Sequence, residues 1–330
     1  MNFINELKPY IANQYSHLPK SRYISVFILR TTQSEAIFRT EGSGEGCNRE
    51  IVTNIDGQAI FRAIISKRKQ IAVERREGRQ LLRKHALLFT NKDKESVKDD
   101  NVCSMNRNNP CEKCIDCMLY GYAVGTGGAQ KSRVMSDDAF SLLPFDLISD
   151  KKTFNALYEN NTMRDPVTGK PSSSIGEDEY IVPGAHFLDI EVLKDVTETE
   201  LMMVLGNIIR SKRYGAISSR IGSVKNSILG ISGSDSELFS TLEWINSTDA
   251  LLQKETSEHP QLESTVVECA TQSIAQLIDS QICGNYYSLT TGELASTIKD
   301  IKEVYASPEQ LKEKLMALTR SYPQNEGLEI

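Results

Sequence analysis

The 330-residue sequence predicts an α+β fold, a ferredoxin-like βαββαβ core with large insertions followed by a mostly helical region. Three observations predict it. YISVFIL and HFLDIEVL are apolar runs of strand composition, far apart in the chain. Apolar residues at helical spacing follow each of them. Beyond residue 232 strand alternation falls away, and helical patterns such as TQSIAQLIDSQI and EQLKEKLMALTR take over.

SRYISVFILR (21–30) reads as the first strand and SEAIFRTEG as a second after a turn, ended by the glycines of EGSGEG. Asp56 reads as the N-cap of a helix through IDGQAIFRAIISKRKQ, with Ile60, Phe61, Ile64 and Ile65 as its apolar stripe. Residues 86–101 are polar and read as a loop. Residues 160–180, rich in Pro, Gly, Ser and charge, predict an exposed hairpin. AHFLDIEVL sets Leu188, Ile190 and Val192 on one face and Asp189 and Glu191 on the other, the pattern of a strand packed on one side. Thr197 and Glu200 form a capping box for a helix carrying Leu201, Val204, Leu205, Ile208 and Ile209. RYGAISSRIG reads as a last strand and a glycine turn. Residues 1–232 are then the core with its insertions, a cysteine segment at about 90–130 and a hairpin at about 155–182; residues 233–330 are the helical region.

An apolar fraction of 39% is enough for a packed core. No apolar run approaches the roughly 20 residues of a membrane span. MNFINELKPY lacks the basic start and apolar stretch of a secretory signal. A cytoplasmic protein without membrane contact is therefore expected. The net charge of −6 hides an asymmetry. Residues 233–330 hold 16 acids and 6 bases, a net of −10, which leaves +4 for residues 1–232. Within 62–84, Arg62, Lys67, Arg68, Lys69, Arg75, Arg76, Arg79, Arg83 and Lys84 face only Glu74 and Glu77. A basic body with an acidic tail suggests a polyanion partner, and equally suits the solvated face of a long helix.

Four of the seven cysteines, Cys103, Cys111, Cys114 and Cys117, form C-x7-C-x2-C-x2-C. In a reducing compartment such a cluster reads as metal ligands rather than disulfides. Four thiolates close a tetrahedral zinc site with no position left for water, so the site would be structural. An iron–sulfur cluster competes, but MLYGYA follows Cys117 where a ferredoxin run continues C-x3-C-P. Cys47, Cys269 and Cys283 are isolated and read as ordinary thiols. His17, His85, His186 and His259 are scattered, and no nucleophile–base pair is visible.

Three stretches place glycine beside a cation: IDGQAIFRAIISKR, GTGGAQKSR and RYGAISSRIGSVKN. Glycine lets backbone approach a phosphate and Lys or Arg neutralises it. None matches a Walker A loop or a dinucleotide fingerprint. CIDCMLYGYAVGTGGAQKSRVMSDDAF resembles a family pattern of cysteines, an aromatic-Gly pair, Ser-Arg and an Asp. IDGQAIFRAIISKR is similar to that family's helix start, TMRDPVTGKP and EYIVPGAHF to its thumb hairpin and the strand after it, and GAISSRIGSVKN to its C-terminal glycine-rich loop. The family is the repeat-associated, RRM-like backbone subunits of CRISPR effector complexes, nearest to the large backbone subunit of type I-D Cascade. The likeness covers roughly residues 20–232.

The resemblance implies an RRM-like palm that binds CRISPR RNA, stacks with neighbouring copies of itself along the guide, and joins other Cascade subunits. The target DNA strand pairs with the guide, so the protein reads no sequence itself. Carried over by position, the RNA-facing residues are Gly57, Gln58, Arg62, Lys67 and Arg68, then Lys131, Ser132 and Arg133, then Gly215, Arg220, Gly222 and Lys225. In the thumb, Met163 and Arg164 would wedge against a base and hold its phosphate. A non-enzyme is expected. The competing reading is a metal-dependent nuclease backbone, for which the loop TEGSGEGC offers Glu41 and Glu45 but no aspartate. A third is a stand-alone RRM-like RNA binder, for which YISVFIL lacks the usual pairing of base-stacking aromatics.

Overall fold

The computed structural model describes residues 5–39, 46–53, 57–90, 102–105, 109–125, 128–252 and 258–327. In chain order they form β1 (Tyr23–Thr32), β2 (Arg49–Thr53), β3 (Ala59–Ile65), α1 (Lys67–Lys84), α2 (Ile115–Tyr120), β4 (Tyr122–Ala123), β5 (Ala129–Gln130), β6 (Val134–Ser136) and β7 (Ala139–Pro144). Next come α3 (Phe145–Ile148), β8 (Ser149–Asn155), β9 (Ile175–Ile181), β10 (His186–Lys194), α4 (Glu198–Arg210) and β11 (Val224–Ser234). The chain ends with α5 (Thr241–Leu252), α6 (Glu263–Gln281), β12 (Tyr286–Ser288), α7 (Thr291–Ala306) and α8 (Pro308–Ser321).

Eight strands make one sheet in the order β12-β11-β1-β10-β7-β3-β2, with β6 also pairing β10. Every pairing in it is antiparallel. Alternation along β1 sorts its side chains to two cores. Ile24, Val26 and Ile28 join α1, α4, α7 and α8 on one face, through residues such as Leu82, Leu205, Ile301 and Leu315. Phe27 and Leu29 join Leu188 and Ile190 of β10 on the other, where α5 and α6 cover them with Trp244, Val266 and Ile274. The α4 capping box forms as expected, with Thr197 accepting from the Glu200 N–H. β8 and β9 pair as a hairpin of their own, with Phe154, Leu157, Val167 and Ile175 exposed along it.

Four expectations are corrected. Residues 59–65 form a strand, not the start of a helix, since AIFRAII is rich in β-branched and aromatic residues and pairs with β2 over 59–63 and with β7 at Arg62, Ile64 and Ile65. The helix begins only at Lys67, whose N–H is capped by Asp138 at 2.6 Å. SEAIF makes single bridges, Ala36 with Ile181 and Ile37 with Ala216, rather than a strand. RYGAISSRIG is a turn against that stretch, and the strand starts after it at Val224. Asp189 and Glu191 do occupy the face opposite Leu188, but α1 covers it and both carboxylates are fully buried. Asp56, proposed as a cap, and the loop residues 91–101 lie outside the described residues.

Candidate functional site

The cysteine segment enters through a Cys103 N–H bond to the Phe89 carbonyl. Cys114 caps α2, its sulfur accepting from the Cys117 N–H at 3.5 Å, and Cys111 accepts from the Cys114 N–H at 3.3 Å. Those bonds turn the thiols inward. All four sulfurs lie within 4.8 Å of one another, and all four residues are buried. Cys103 Sγ stands 3.8 Å from Cys114 Sγ and 3.5 Å from Cys117 Sγ. A tetrahedron of thiolates around one ion at about 2.3 Å has sulfur–sulfur edges of about 3.8 Å, so the four residues fit a single structural ion. Hydrogen bonds from the neighbouring S–H groups push the Cys103 thiol down, whereas Cys117, bonded to the Cys103 and Cys111 sulfurs, is pushed up. Cys47 stands apart, its thiol pushed up to about 12 by burial.

The segment is bolted to the sheet's helix layer. Asp116 accepts from Arg75 at 2.8 and 3.0 Å and from Arg79 at 2.6 Å, two arginines one turn apart on α1. Arg79 also donates to the Cys103 carbonyl and, at 3.6 Å, to its sulfur. Past α2 the chain turns at Gly121, whose φ is +76°. A side chain there would collide with the backbone of Gln130–Ser132. The Arg133 N–H bonds the Leu119 carbonyl, and its guanidinium reaches the Met118 carbonyl at 3.2 Å. The cysteine clamp thus fixes the loop that presents Lys131.

Three residues expected on an RNA-facing surface lie inside instead. Arg62 is fully buried; it donates to the carbonyls of Ser141 and Leu142 and pairs with Asp249 at 2.7 Å. Lys67 Nζ lies 2.5 Å from Asp189 and 3.6 Å from Glu191. Arg133 pairs with Glu200. Each cation already has a carboxylate in a dry setting, which leaves no charge displayed for a phosphate. Lys67 belongs to a larger buried group in which Arg30 pairs with Glu74, Asp189 and Glu191. Burial alone would raise the Asp189 carboxyl, but Lys67 and Arg30 hold it at about 2. Burial and the Glu74 carboxylate push Glu191 well above the usual carboxylate range.

The other expected residues lie at or near the surface, except Gly222, which is buried. Lys131, Arg68, Arg164, Arg220, Gly57 and Gln58 are exposed, and Ser132 is half-buried with its hydroxyl on the Val134 carbonyl at 2.7 Å. Lys225 is exposed and paired with Glu263 at 2.6 Å. Met163 is half-buried under an Asn155 amide, and Arg164 donates to the Gly169 carbonyl across the hairpin tip. Gly215 and Gly222 have φ of +84° and +79°. Side chains there would strike the Ile37 and Tyr214 carbonyls, so backbone packing already accounts for these glycines. Glu41 and Glu45 lie outside the described residues.

Contacts place two groups of these surface residues, Arg220 and Lys225 with the base of the hairpin in one and Lys131 with Ser132 in the other. Gly57 and Gln58 before β3 and Arg68 on α1 belong to neither. The 213–222 turn and the base of the hairpin meet the strip 35–37 at the end of β1. The Lys131 loop meets the start of β1, where the Lys194 N–H bonds the Arg133 carbonyl and the Asp195 N–H bonds that of Arg22. Ten residues of strand, roughly 30 Å, separate the two groups. Sequence reasoning missed the companions of Lys131. Tyr15, His17, Met135 and Lys194 line a cavity of about 250 Å³ with it. Nothing in the local sequence links positions 15–17 to 131.

Among the described residues no helix is long and apolar enough to cross a membrane. The sequence profile of a family described as Csc2 Crispr matches residues 10–315. The fold is similar to the crystal structure of Thermofilum pendens Csc2, at 20% identity and a TM-score of 0.62, covering 97% of this chain and 96% of that one. A fainter likeness, at 8% identity and a TM-score of 0.49, is to a chain of a CRISPR RNA-guided surveillance complex in a pre-nicking state, covering 82% and 92%. No curated protein matches the chain.

Proposed function

The chain belongs to the Csc2 CRISPR family, and from that premise we propose that it is a non-catalytic, RNA-binding backbone subunit of a type I-D Cascade surveillance complex. It binds CRISPR RNA along its loops, stacks with copies of itself and meets other Cascade subunits, leaving the guide free to pair with target DNA in antiviral defence. The observation that carries the reading is the family match over nearly the whole chain. The strand order β11-β1-β10-β7, with α1 and α4 on one face, supports a ferredoxin-like, RRM-like palm.

The covered sheet argues against a stand-alone RRM. Such a domain stacks bases on an open sheet face, whereas α5 and α6 bury Phe27, Leu29 and Leu188 here. RNA contact then falls to the loops at both ends of β1, and a strand touching both crosses roughly 30 Å of protein. The cysteine centre takes zinc as a structural ion, its four sulfurs held at single-ion spacing.

Purification tests the function. A backbone subunit isolated from its host carries RNA, giving a nucleic-acid-rich absorbance ratio that ribonuclease collapses, and guides of unrelated sequence bind alike. Protein free of nucleic acid that also fails to bind a guide in vitro overturns the reading. Incubation with complementary RNA and magnesium leaves that RNA intact; cuts at regular intervals would restore the nuclease reading.

A further inference from the structure

We infer that the cavity between the N-terminal arm and the Lys131 loop holds one unstacked nucleobase of a bound RNA strand. The ring lies against His17 and Met135, and the flanking phosphates lie on Lys131 and Lys194. The inference rests on the RNA-binding reading above and adds a base site to it.

The cavity is prepared before any ligand arrives. The Tyr15 hydroxyl hydrogen-bonds His17 Nδ1 at 3.1 Å and donates to Gln130 Oε1 at 3.3 Å, tying the arm to the loop. The His17 ring packs edge-on against Tyr15, with centroids 5.0 Å apart and planes at 85°. Tyr15 is itself held by the Arg133 guanidinium, 4.9 Å from its ring centroid. His17 is otherwise exposed, so one face of its ring is open for stacking. Aromatic platforms of this kind hold bases without reading sequence. Lys131 is exposed and Lys194 half-buried at the same cavity, where backbone phosphates need cations. Asp195, the carboxylate lining the cavity, is engaged by the N–H groups of Lys20 and Arg22. At about 250 Å³ the space has room for one flat heterocycle and is smaller than the roughly 300–1,000 Å³ of drug-sized sites.

The test uses the whole chain with two fluorescent probes, an eight-nucleotide RNA and an abasic oligomer of the same length and charge. Substituting the exposed His17 should not unfold the protein. His17→Ala should weaken binding of the RNA by about 5- to 150-fold, the worth of one base stacked on an aromatic side chain. It should leave the abasic oligomer unchanged, and His17→Phe should retain wild-type preference. Lys131→Ala should weaken both probes equally. If His17→Ala leaves both affinities unchanged, or lowers both alike, the base site is wrong while the RNA-binding reading stands. If the wild-type chain binds neither probe, both fall, and the cavity belongs to some other partner.

Discussion

Lys131 and Arg133 stand two residues apart in one loop, and the fold uses them in opposite ways. Lys131 projects into solvent beside an open cavity. Arg133 turns inward, pairs with Glu200 and bonds the carbonyls of Met118 and Asp195. The same split divides Arg68 from Lys67 one residue before it. A cation's role here is set by what stands behind it, a carboxylate in the core or water. The buried cations hold elements together. The exposed ones remain available to a polyanion.

The largest expected effect comes from the clamp that orients this loop. Removing the ion with a chelator, or replacing Cys114 with Ser, should free residues 102–121 and with them Arg75 and Arg79, which lean on Asp116. Structural zinc is worth on the order of 10 kcal/mol in small zinc domains, so local folding should be lost outright. Hydrogen exchange should show the α2 amides unprotected, and elemental analysis of intact protein should give about one zinc per chain. Iron with sulfide, or no metal in carefully prepared protein, would refute the zinc assignment.

Next in size is a direct break of the interior class. Arg133→Ala leaves Glu200 buried without its cation, which typically costs about 3–5 kcal/mol. Denaturant unfolding should register that loss with no RNA present. A variant of wild-type stability that binds RNA poorly would move Arg133 back among the phosphate contacts and dissolve the comparison.

A smaller effect concerns the buried group under α1, where three carboxylates face two cations. Burial and Glu74 raise the Glu191 carboxyl, so the folded chain holds that proton to a higher pH than the unfolded chain does. Between the ordinary glutamate value of about 4.3 and the raised one, the folded state binds more protons than the unfolded one. Stability therefore falls as pH rises through that window. Glu191→Gln removes the slope. Its advantage over wild type should grow as pH rises through that window, read as the difference between the two unfolding curves at pH 5 and at pH 8. A variant less stable than wild type at both pH values would mean that Glu191 is needed as an anion.

These residues also show what the sequence could disclose. Cys103, Cys111, Cys114 and Cys117 were legible because metal chemistry demands spacing that the chain prints directly. The capping box at Thr197 is equally local. The buried face of α1 was not legible, since its inward stripe is Lys67, Gln70, Glu74 and Gly78 before Leu81 and Leu82. A polar stripe reads as solvated unless its partners are known, and Arg30, Asp189 and Glu191 lie on strands far away in sequence. The 59–65 strand misled for the opposite reason. Its apolar residues match helical spacing, and only pairing with β2 and β7 decides against it. The cavity by Lys131 joins segments more than a hundred residues apart, so no window of sequence contains it.

The smallest effect on stability is expected at Lys131, the exposed cation of the loop. The side chain is exposed, so Lys131→Ala should change unfolding free energy by no more than about 0.5 kcal/mol. If it contacts a phosphate, its loss should lower the salt slope of log affinity by roughly 0.7, the single-strand value for one phosphate. Phosphate contacts carry no sequence information, so two unrelated guides should weaken by the same factor. Glu303, exposed in α7 and away from this loop, supplies the control: Glu303→Ala should leave slope and affinity alone. Filter binding over a salt series with both guides reads all of this at once. A slope untouched by Lys131→Ala would place this lysine among merely solvated cations. A strong preference between guides would make it a base contact instead. Either result would leave the two classes, interior and exposed, separated by burial alone and no longer by function.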